Sequence, residues 1–349
     1  MSIRPDPAVS RPRGTAQNSG RSPLQVVRNP VRTRLRRGLA HPSVVVIIAA
    51  AAGYGALGDT DLFSTLAMSG ILAIAGVGLA MLTGLAGQLS LGHAAFLGVA
   101  AYTSAIATVE WGLPPLVGTA MAVGVAVLLA LITSPILRLR GHYLALATLA
   151  LGLGVQQLSV NLDGVTGGTD GYPGIPPYAI GGLTFSSQQE NYVLAWTGLA
   201  IAVWVQHNLT TSRIGRALRA IEADELAARA SAVPATRYRV AVWLLAAAFA
   251  GLAGSLFAHN LRFVSPESFS LLLSATLLAA VVVGGTTSIL GPVVAIVLLR
   301  FVPDLPLGLS PALFTGLLLV VVMTVAPGGL AGAVRTVRSA VTRRGGSGS

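Results

Sequence analysis

The chain has 349 residues, 53% of them hydrophobic and only 10% charged, with mean hydropathy +0.74 and formal net charge +11 at pH 7. A water-soluble domain carries about 25% charged residues, so there is too little polar surface here to face water and the solvent must be largely lipid. Cysteine is absent and all 23 basic residues are arginine, which excludes disulfides and Cys-bound zinc, a Walker-type lysine and Schiff-base chemistry.

Residues 1–42 are rich in Arg, Pro and Ser without apolar periodicity, and read as a disordered basic tail rather than a signal peptide. A membrane helix needs about 20 apolar residues. Runs of that kind predict ten spans, at about 43–58, 62–83, 89–109, 114–137, 142–160, 191–208, 240–260, 268–284, 288–302 and 309–326, the first and ninth being short. The expected fold is therefore all-α and polytopic, with a transmembrane domain over 43–330 and a flexible tail over 331–349.

Arginine bias sets the expected orientation. With the N-terminus inside, the inner segments hold nine arginines in the tail, Arg138 and Arg140, six from Arg213 to Arg239 and four from Arg335 onward. Asp59, Asp61, Glu110, Asp163, Asp170, Glu190, Glu267 and Asp304 all fall outside. The arginines thus sit at the ends of apolar runs, where a membrane explains them better than nucleic acid does. No Asp or Glu lies within a span, and ion-coupled transporters usually place ionisable groups there. Metal-binding and hydrolase motifs are absent too, so no metal, cofactor or catalytic centre is expected.

Four motifs interrupt the apolar pattern. "GQLSLGHAAF" puts Gln88, Ser90 and His93 at the start of a span among glycines. It reads either as a broken helix beside a solute path or as a short turn satisfying frayed helix ends. "VTGGTDGYPGIPP" lies in the longest outer loop, 161–190, and its glycines and prolines predict fixed turns. Asp170 there is an Asx-type turn residue or a surface charge for a binding protein. "SRIGRALRAIEADELAARAS", residues 212–231, is the one charged helix between apolar neighbours. Ile214, Leu218 and Ile221 form a stripe at helical spacing, Glu225 falls on the same stripe, and Glu225 with Arg229 makes a favourable i,i+4 pair worth about 0.2–0.5 kcal/mol. It is either a solvated loop helix or a docking element. Lastly, "GLAG" recurs at 84–87 and 251–254, a faint sign of an inverted repeat.

"GRALRAIEADELAARA" resembles the cytoplasmic coupling segment of the permease subunits of high-affinity branched-chain amino acid ABC importers. "GLAGQLSLGHAAFLGVAAYTSA" at 84–105, "LRLRGHYLALATLA" at 137–150, "TGGTDGYPGIP" at 166–176, and "GLAGSLFAHNLRFVSPESF" through "VVVGGTTSILGP" at 251–292 are similar to the same family, in family order. The second and third of these favour the LivM-like subunit over its LivH-like partner. The chain departs from the family at Glu222–Ala223, at Ala232 where glycine is usual, at Leu153 and Gln156 in the fifth span, and at Thr276 in the eighth.

The resemblance implies a type II-like importer permease. It would pair with a homologous second permease, two cytoplasmic ATP-binding subunits and an extracytoplasmic solute-binding protein, within membrane lipid and without nucleic acid. Gly215, Arg216, Asp224, Glu225, Ala227 and Ala228 would serve ATPase coupling, with Glu225 as the contact. Gln88, Ser90, His93 and Thr276 would border the translocation path, and Thr166, Gly167, Gly168 and Asp170 would form the external loop. The cargo is then a branched-chain or similar small amino acid. Urea, short amides or another small solute, or a self-sufficient transporter or channel, are the alternatives.

Overall fold

The computed structural model describes residues 60–301, apart from 140 and 287, together with residues 313, 316, 317 and 324. The tails expected at 1–42 and 331–349 and the span expected at 43–58 lie outside the described residues. So does the span expected at 309–326, but for those last four positions.

The helices are α1 (Thr60–Ala86), α2 (His93–Val109), α3 (Pro115–Thr133), α4 (His142–Asn161), the one-turn α5 (Asp163–Thr166), α6 (Gln188–Thr211), α7 (Arg213–Ala223), α8 (Glu225–Ala230), α9 (Ala235–Leu261), α10 (Leu271–Gly284) and α11 (Gly291–Phe301). Among the described residues, five segments are long and apolar enough to cross a membrane: Leu62–Ala86, Pro115–Arg138, His142–Asn161, Ala235–Leu261 and Pro266–Gly284. The helices α2 and α11 are shorter apolar segments, and α6 carries polar residues at both ends. Residues 89–92, expected to open the third span, are not helical.

Local chemistry explains several boundaries. Pro135 lacks an N–H and breaks the α-ladder, so the end of α3 tightens into a 3-10 turn over Ser134–Arg138. A capping box starts α6: the Ser187 hydroxyl accepts from the Glu190 N–H at 3.2 Å, and the Glu190 carboxylate accepts from the Ser187 N–H at 2.9 Å.

The central element is α1, almost wholly buried by α6, α7, α9, α10 and α11. Ala, Gly and Ser at its contacts let backbones approach, the usual basis of helix packing in lipid. Two buried indoles tie helices together, Trp196 Nε1 donating to the Leu66 carbonyl at 3.1 Å and Trp243 Nε1 to the Ala130 carbonyl at 2.9 Å. Phe96 meets Trp243 edge-on at 5.2 Å, a favoured aromatic geometry.

Charged residues gather at the two ends of the bundle. Arg138, Arg229 and Arg239 line one cavity. At the other end Tyr172 donates to Glu110 at 2.8 Å and Arg262 to the Ser186 carbonyl at 3.1 Å. This acid-rich end is not purely helical, which corrects the all-α expectation in detail. Tyr172–Pro173 (β1) pairs antiparallel with Phe263–Val264 (β4), and Tyr178–Ile180 (β2) with Leu183–Phe185 (β3). Gly167, Gly168, Gly171 and Gly174 there have positive φ, as do Gly181 and Gly182. Turn-rich sequence that cannot propagate a helix thus folds back as two short ribbons.

Candidate functional site

Residues 87–92 form a non-helical break between α1 and α2, with Gln88, Ser90 and Gly92 turned into the bundle and Gly87 and Leu89 exposed. Its backbone donors are satisfied from other helices: Leu91 N–H donates to Thr148 Oγ1 at 3.1 Å and Ala94 N–H to Ser274 Oγ at 3.0 Å. The orphan N–H groups of a helix start are here capped in trans by α4 and α10. Gly92 is required by packing, since a Cβ there would run into the Thr148 carbonyl.

The side chains of the break are not satisfied in the same way. Gln88, Ser90 and His93 are all buried, at 5%, 1% and 1% exposure. Gln88 Oε1, Ser90 Oγ and the neighbouring Thr83 Oγ1 have no hydrogen-bond partner. Neither ring nitrogen of His93 meets a partner of good geometry, although the ring lies beside the main chain of Ala75. Buried polar groups are normally paired, so four unpaired side chains at one helix break are an arrangement held against a cost. Thr276 does not join them: its hydroxyl donates to the Leu272 carbonyl of its own helix at 2.8 Å. Ser274, two residues away, is the α10 residue that reaches the break. The sequence signal for Ser274 and Thr148 is only a polar residue in an apolar run.

Beside the break, α4 is the barest of the membrane-length helices among the described residues. Tyr143, Leu146, Leu153, Gln157 and Leu158 face outward along it, and the departure residue Gln156 is half-buried. Gln157 lies one turn before the end of this helix, where Asn161 Nδ2 donates to its carbonyl at 2.9 Å.

The charged segment forms two helices rather than one. At Asp224 the backbone turns extended (φ −156°, ψ 105°), and the Asp224 carboxylate caps α8 by accepting from Leu226 and Ala227 N–H at 2.9 and 3.0 Å. The break rotates Glu225 off the α7 stripe. Its carboxylate is held by Arg229 at 2.6 Å and Arg239 at 3.1 Å within the same chain. Gly215, Leu218 and Ile221 form the buried face, while Ile214 turns outward. Gly215 is needed because a Cβ would collide with the carbonyls of Leu209 and Thr210. Arg216 and Arg219 reach back to the carbonyls of Thr211 and Thr210 at 3.2 and 3.0 Å, capping the C-terminus of α6 as cations favourably do. Ala228 is buried and Ala227 exposed. Leu226, at 79%, is the most exposed of the large exposed hydrophobic side chains; its place on a polar helix was not singled out by periodicity, because the period restarts at Asp224.

Segment α8 ends in a Schellman turn, with Val233 N–H bonded to the Ala228 carbonyl and Ala232 N–H to the Arg229 carbonyl, both at 3.0 Å. Ala232 occupies the left-handed position of this turn, at φ +59°.

In the segment 162–187, Thr166 does the turn-making. Its hydroxyl donates toward the carbonyls of Ser159 and Leu162 and accepts from Gly168 N–H. Asp170 ends the 3-10 turn Gly168–Asp170 and is exposed; no Asx turn forms there among the described residues. A polar chain then ties the segment to three helices. Tyr178 bonds Thr119 at 2.8 Å, Thr119 bonds Ser255 at 2.7 Å, Ser255 bonds Ser104 at 2.8 Å, Ser104 bonds His259 Nε2 at 3.0 Å, and His259 Nδ1 bonds the Pro176 carbonyl at 2.8 Å. Because a carbonyl only accepts, the proton of a neutral His259 sits on Nδ1. Ser104 then donates to His259 and Ser255 to Ser104, while the single Thr119 proton is shared between Ser255 and the Pro115 carbonyl, 2.9 Å away. Burial pushes the Tyr178 phenol above its usual pKa, against the lowering effect of Thr119.

Residues 62–327 match the family described as branched-chain amino acid transport system, permease component. The chain is 36% identical over 260 residues to the high-affinity branched-chain amino acid transport system permease protein LivM of Salmonella typhimurium, covering 66% of this chain and 60% of that protein. It is 36% identical over 270 residues to the protein of the same description from Escherichia coli, covering 69% and 62%. The chain therefore spans less than two thirds of the length of these relatives. No solved structure matches.

Proposed function

On the premise that this multi-pass membrane chain belongs to the permease-component family of branched-chain amino acid transport systems, we propose that it forms half of the translocation path of an ABC importer for such amino acids. ATP hydrolysis would take place on two separate cytoplasmic subunits, with a second, homologous permease and an extracytoplasmic solute-binding protein completing the assembly. The orientation is that of the arginine bias, with the Arg138–Arg239 end in the cytoplasm, ten spans in all and both tails inside.

The observation that carries this reading is Leu226. Segment 212–231 is capped at each turn, packed on the end of α1, and still presents a leucine at 79% exposure on a polar surface. A rigid element with one bare apolar side chain suits a partner that buries it, as docked hot-spot residues do. Gly215, Arg216, Asp224, Glu225 and Ala228 build this element from within, while Leu226 and Ala227 form its outward face. The path itself is assigned to the buried break at Gln88, Ser90 and His93 and to the bare α4 face, where the second permease would pack. Asp170, exposed at the other end, is available to the binding protein.

Co-expression with the ATP-binding and second permease subunits, followed by leucine uptake and ATPase assays in liposomes, tests the proposal. Leu226→Glu should abolish recruitment of the ATP-binding subunits while the chain still inserts. Unchanged recruitment and uptake would remove the basis for docking here. Competition with isoleucine, valine, urea and short amides identifies the cargo.

A further inference from the structure

The arginine-rich end holds an open cavity that the docking surface does not use. It is lined by Leu137 and Arg138 at the end of the 3-10 turn after α3, Glu225 and Arg229 on α8, and Thr236 and Arg239 near the start of α9. Three guanidinium groups face a single carboxylate. Glu225 occupies one arm each of Arg229 and Arg239, but Arg239 Nε is buried without a partner and Arg138 stands exposed on the rim. Helix α9 also begins here without a side-chain cap, because its N-cap residue is Pro234. Its first-turn N–H groups and positive dipole end add to the same field.

The wall beside this cavity is apolar and bare. Leu128, Leu131 and Ile132 are exposed on α3 just before Arg138, and Leu139 and Tyr143 are exposed just after it. Exposed aliphatic side chains that give way within two turns to an arginine, with a tyrosine at the start of the next helix, mark the level of lipid headgroups. Basic pockets at that level between membrane helices suit anionic headgroups.

The geometry points to a binding site for the phosphate-bearing headgroup of an anionic phospholipid. The phosphate oxygens accept from Arg138 and the Thr236 hydroxyl, with Arg229 closing the outer side and the Arg239 guanidinium adding its charge from behind. The acyl chains lie along Leu131 and Ile132. A carboxylate from a water-side partner would satisfy the arginines equally, but the bare apolar wall would then have no occupant. Assignment to the inner leaflet rests on the orientation proposed above; headgroup binding does not.

Native mass spectrometry of the full chain in detergent, titrated with phosphatidylglycerol or phosphatidylcholine, tests the site, with inorganic phosphate as a separate arm. Phosphatidylglycerol should be retained in preference to phosphatidylcholine. Arg138→Gln and Arg229→Gln should each weaken its retention about fivefold. The corresponding lysine variants should restore it, and Arg213→Gln, equally costly in charge but outside the cavity, should leave it unchanged. Equal retention of the two lipids, or retention insensitive to the Arg138 and Arg229 variants, overturns the assignment. So does binding of inorganic phosphate without preference for phosphatidylglycerol, and so does loss of the ATP-binding subunits in Arg138→Gln with lipid retention intact.

Discussion

The Glu225 carboxylate lies 3.1 Å from Arg239 Nη2 and 2.6 Å from Arg229 Nη2, and so links the charged segment 212–231 to the helix that follows it. Glu225 and Arg239 are both largely shielded, whereas Arg229 is half exposed at 52% and contributes little, as exposed pairs do. The Glu225–Arg239 bond therefore holds α8 against the start of α9, a helix long and apolar enough to cross a membrane.

A double-mutant cycle on Glu225→Gln and Arg239→Gln should return a coupling energy of about 1–2 kcal/mol, within the range for contacting residues. Thermal unfolding in detergent measures it. Glu225→Arg should be worse than either single change, because it places a fourth guanidinium among Arg138, Arg229 and Arg239. A coupling energy indistinguishable from zero would mean that the pair does not carry the contact.

Ala232 holds the left-handed position of the Schellman turn at φ +59°. An L-residue with a Cβ costs about 1–2 kcal/mol there, which accounts for the glycine usual in the family at this point. Ala232→Gly should stabilise the protein by about 1 kcal/mol after the extra chain entropy of glycine is subtracted. A rise in unfolding temperature checks this, and a fall would show that the turn is not formed.

Ser274 caps α2 from a different helix, while Thr276 bonds only its own backbone. Ser274→Ala should cost about 1 kcal/mol, as loss of an N-cap does, and Thr276→Ala should cost much less. Comparing the unfolding temperatures of the two alanine variants decides it. Equal effects would show that the cap in trans contributes nothing.

How far the sequence reveals such features depends on whether they repeat. Apolar runs located α3, α4, α9 and α10 to within a few residues. Helical spacing found Leu218 and Ile221, but it carried Glu225 onto the same stripe because nothing periodic announces the break that Asp224 imposes. The Asp224 cap resets the phase, turning Glu225 inward and Leu226 outward. Partners distant in sequence were illegible for the same reason: Ser274 is 180 residues from Ala94, and only packing joins them. The ribbon pairing of β1 with β4 likewise needs the fold to bring the two strands together.

Glu190 accepts hydrogen bonds from the backbone and side chain of Ser187 and from the Ser186 N–H, which lower its pKa below the usual 4.5. A depressed carboxylate pKa stabilises the folded state above the unfolded pKa, and that contribution is lost as pH falls through 4.5 and below. Amide exchange at the start of α6, corrected for intrinsic rates, should therefore show protection at pH 6 that weakens toward pH 3. Glu190→Gln should remove the pH dependence. Protection that is flat with pH in the wild type would mean that the capping box is not formed.

Ser90 and Thr83 carry buried hydroxyls without partners at the α1–α2 break. An unsatisfied buried polar group costs about 1–3 kcal/mol, so Ser90→Ala and Thr83→Val should raise stability. If the break borders the solute path, the same changes should slow amino acid uptake several-fold, because the groups that lack partners in the protein are those available to cargo. Unfolding temperature and uptake in liposomes, measured on the same variants, separate the two roles. Greater stability with slower uptake assigns the hydroxyls to transport. Greater stability with unchanged uptake reduces them to packing defects, and the path must then be sought along the bare face of α4 at Leu153 and Gln157.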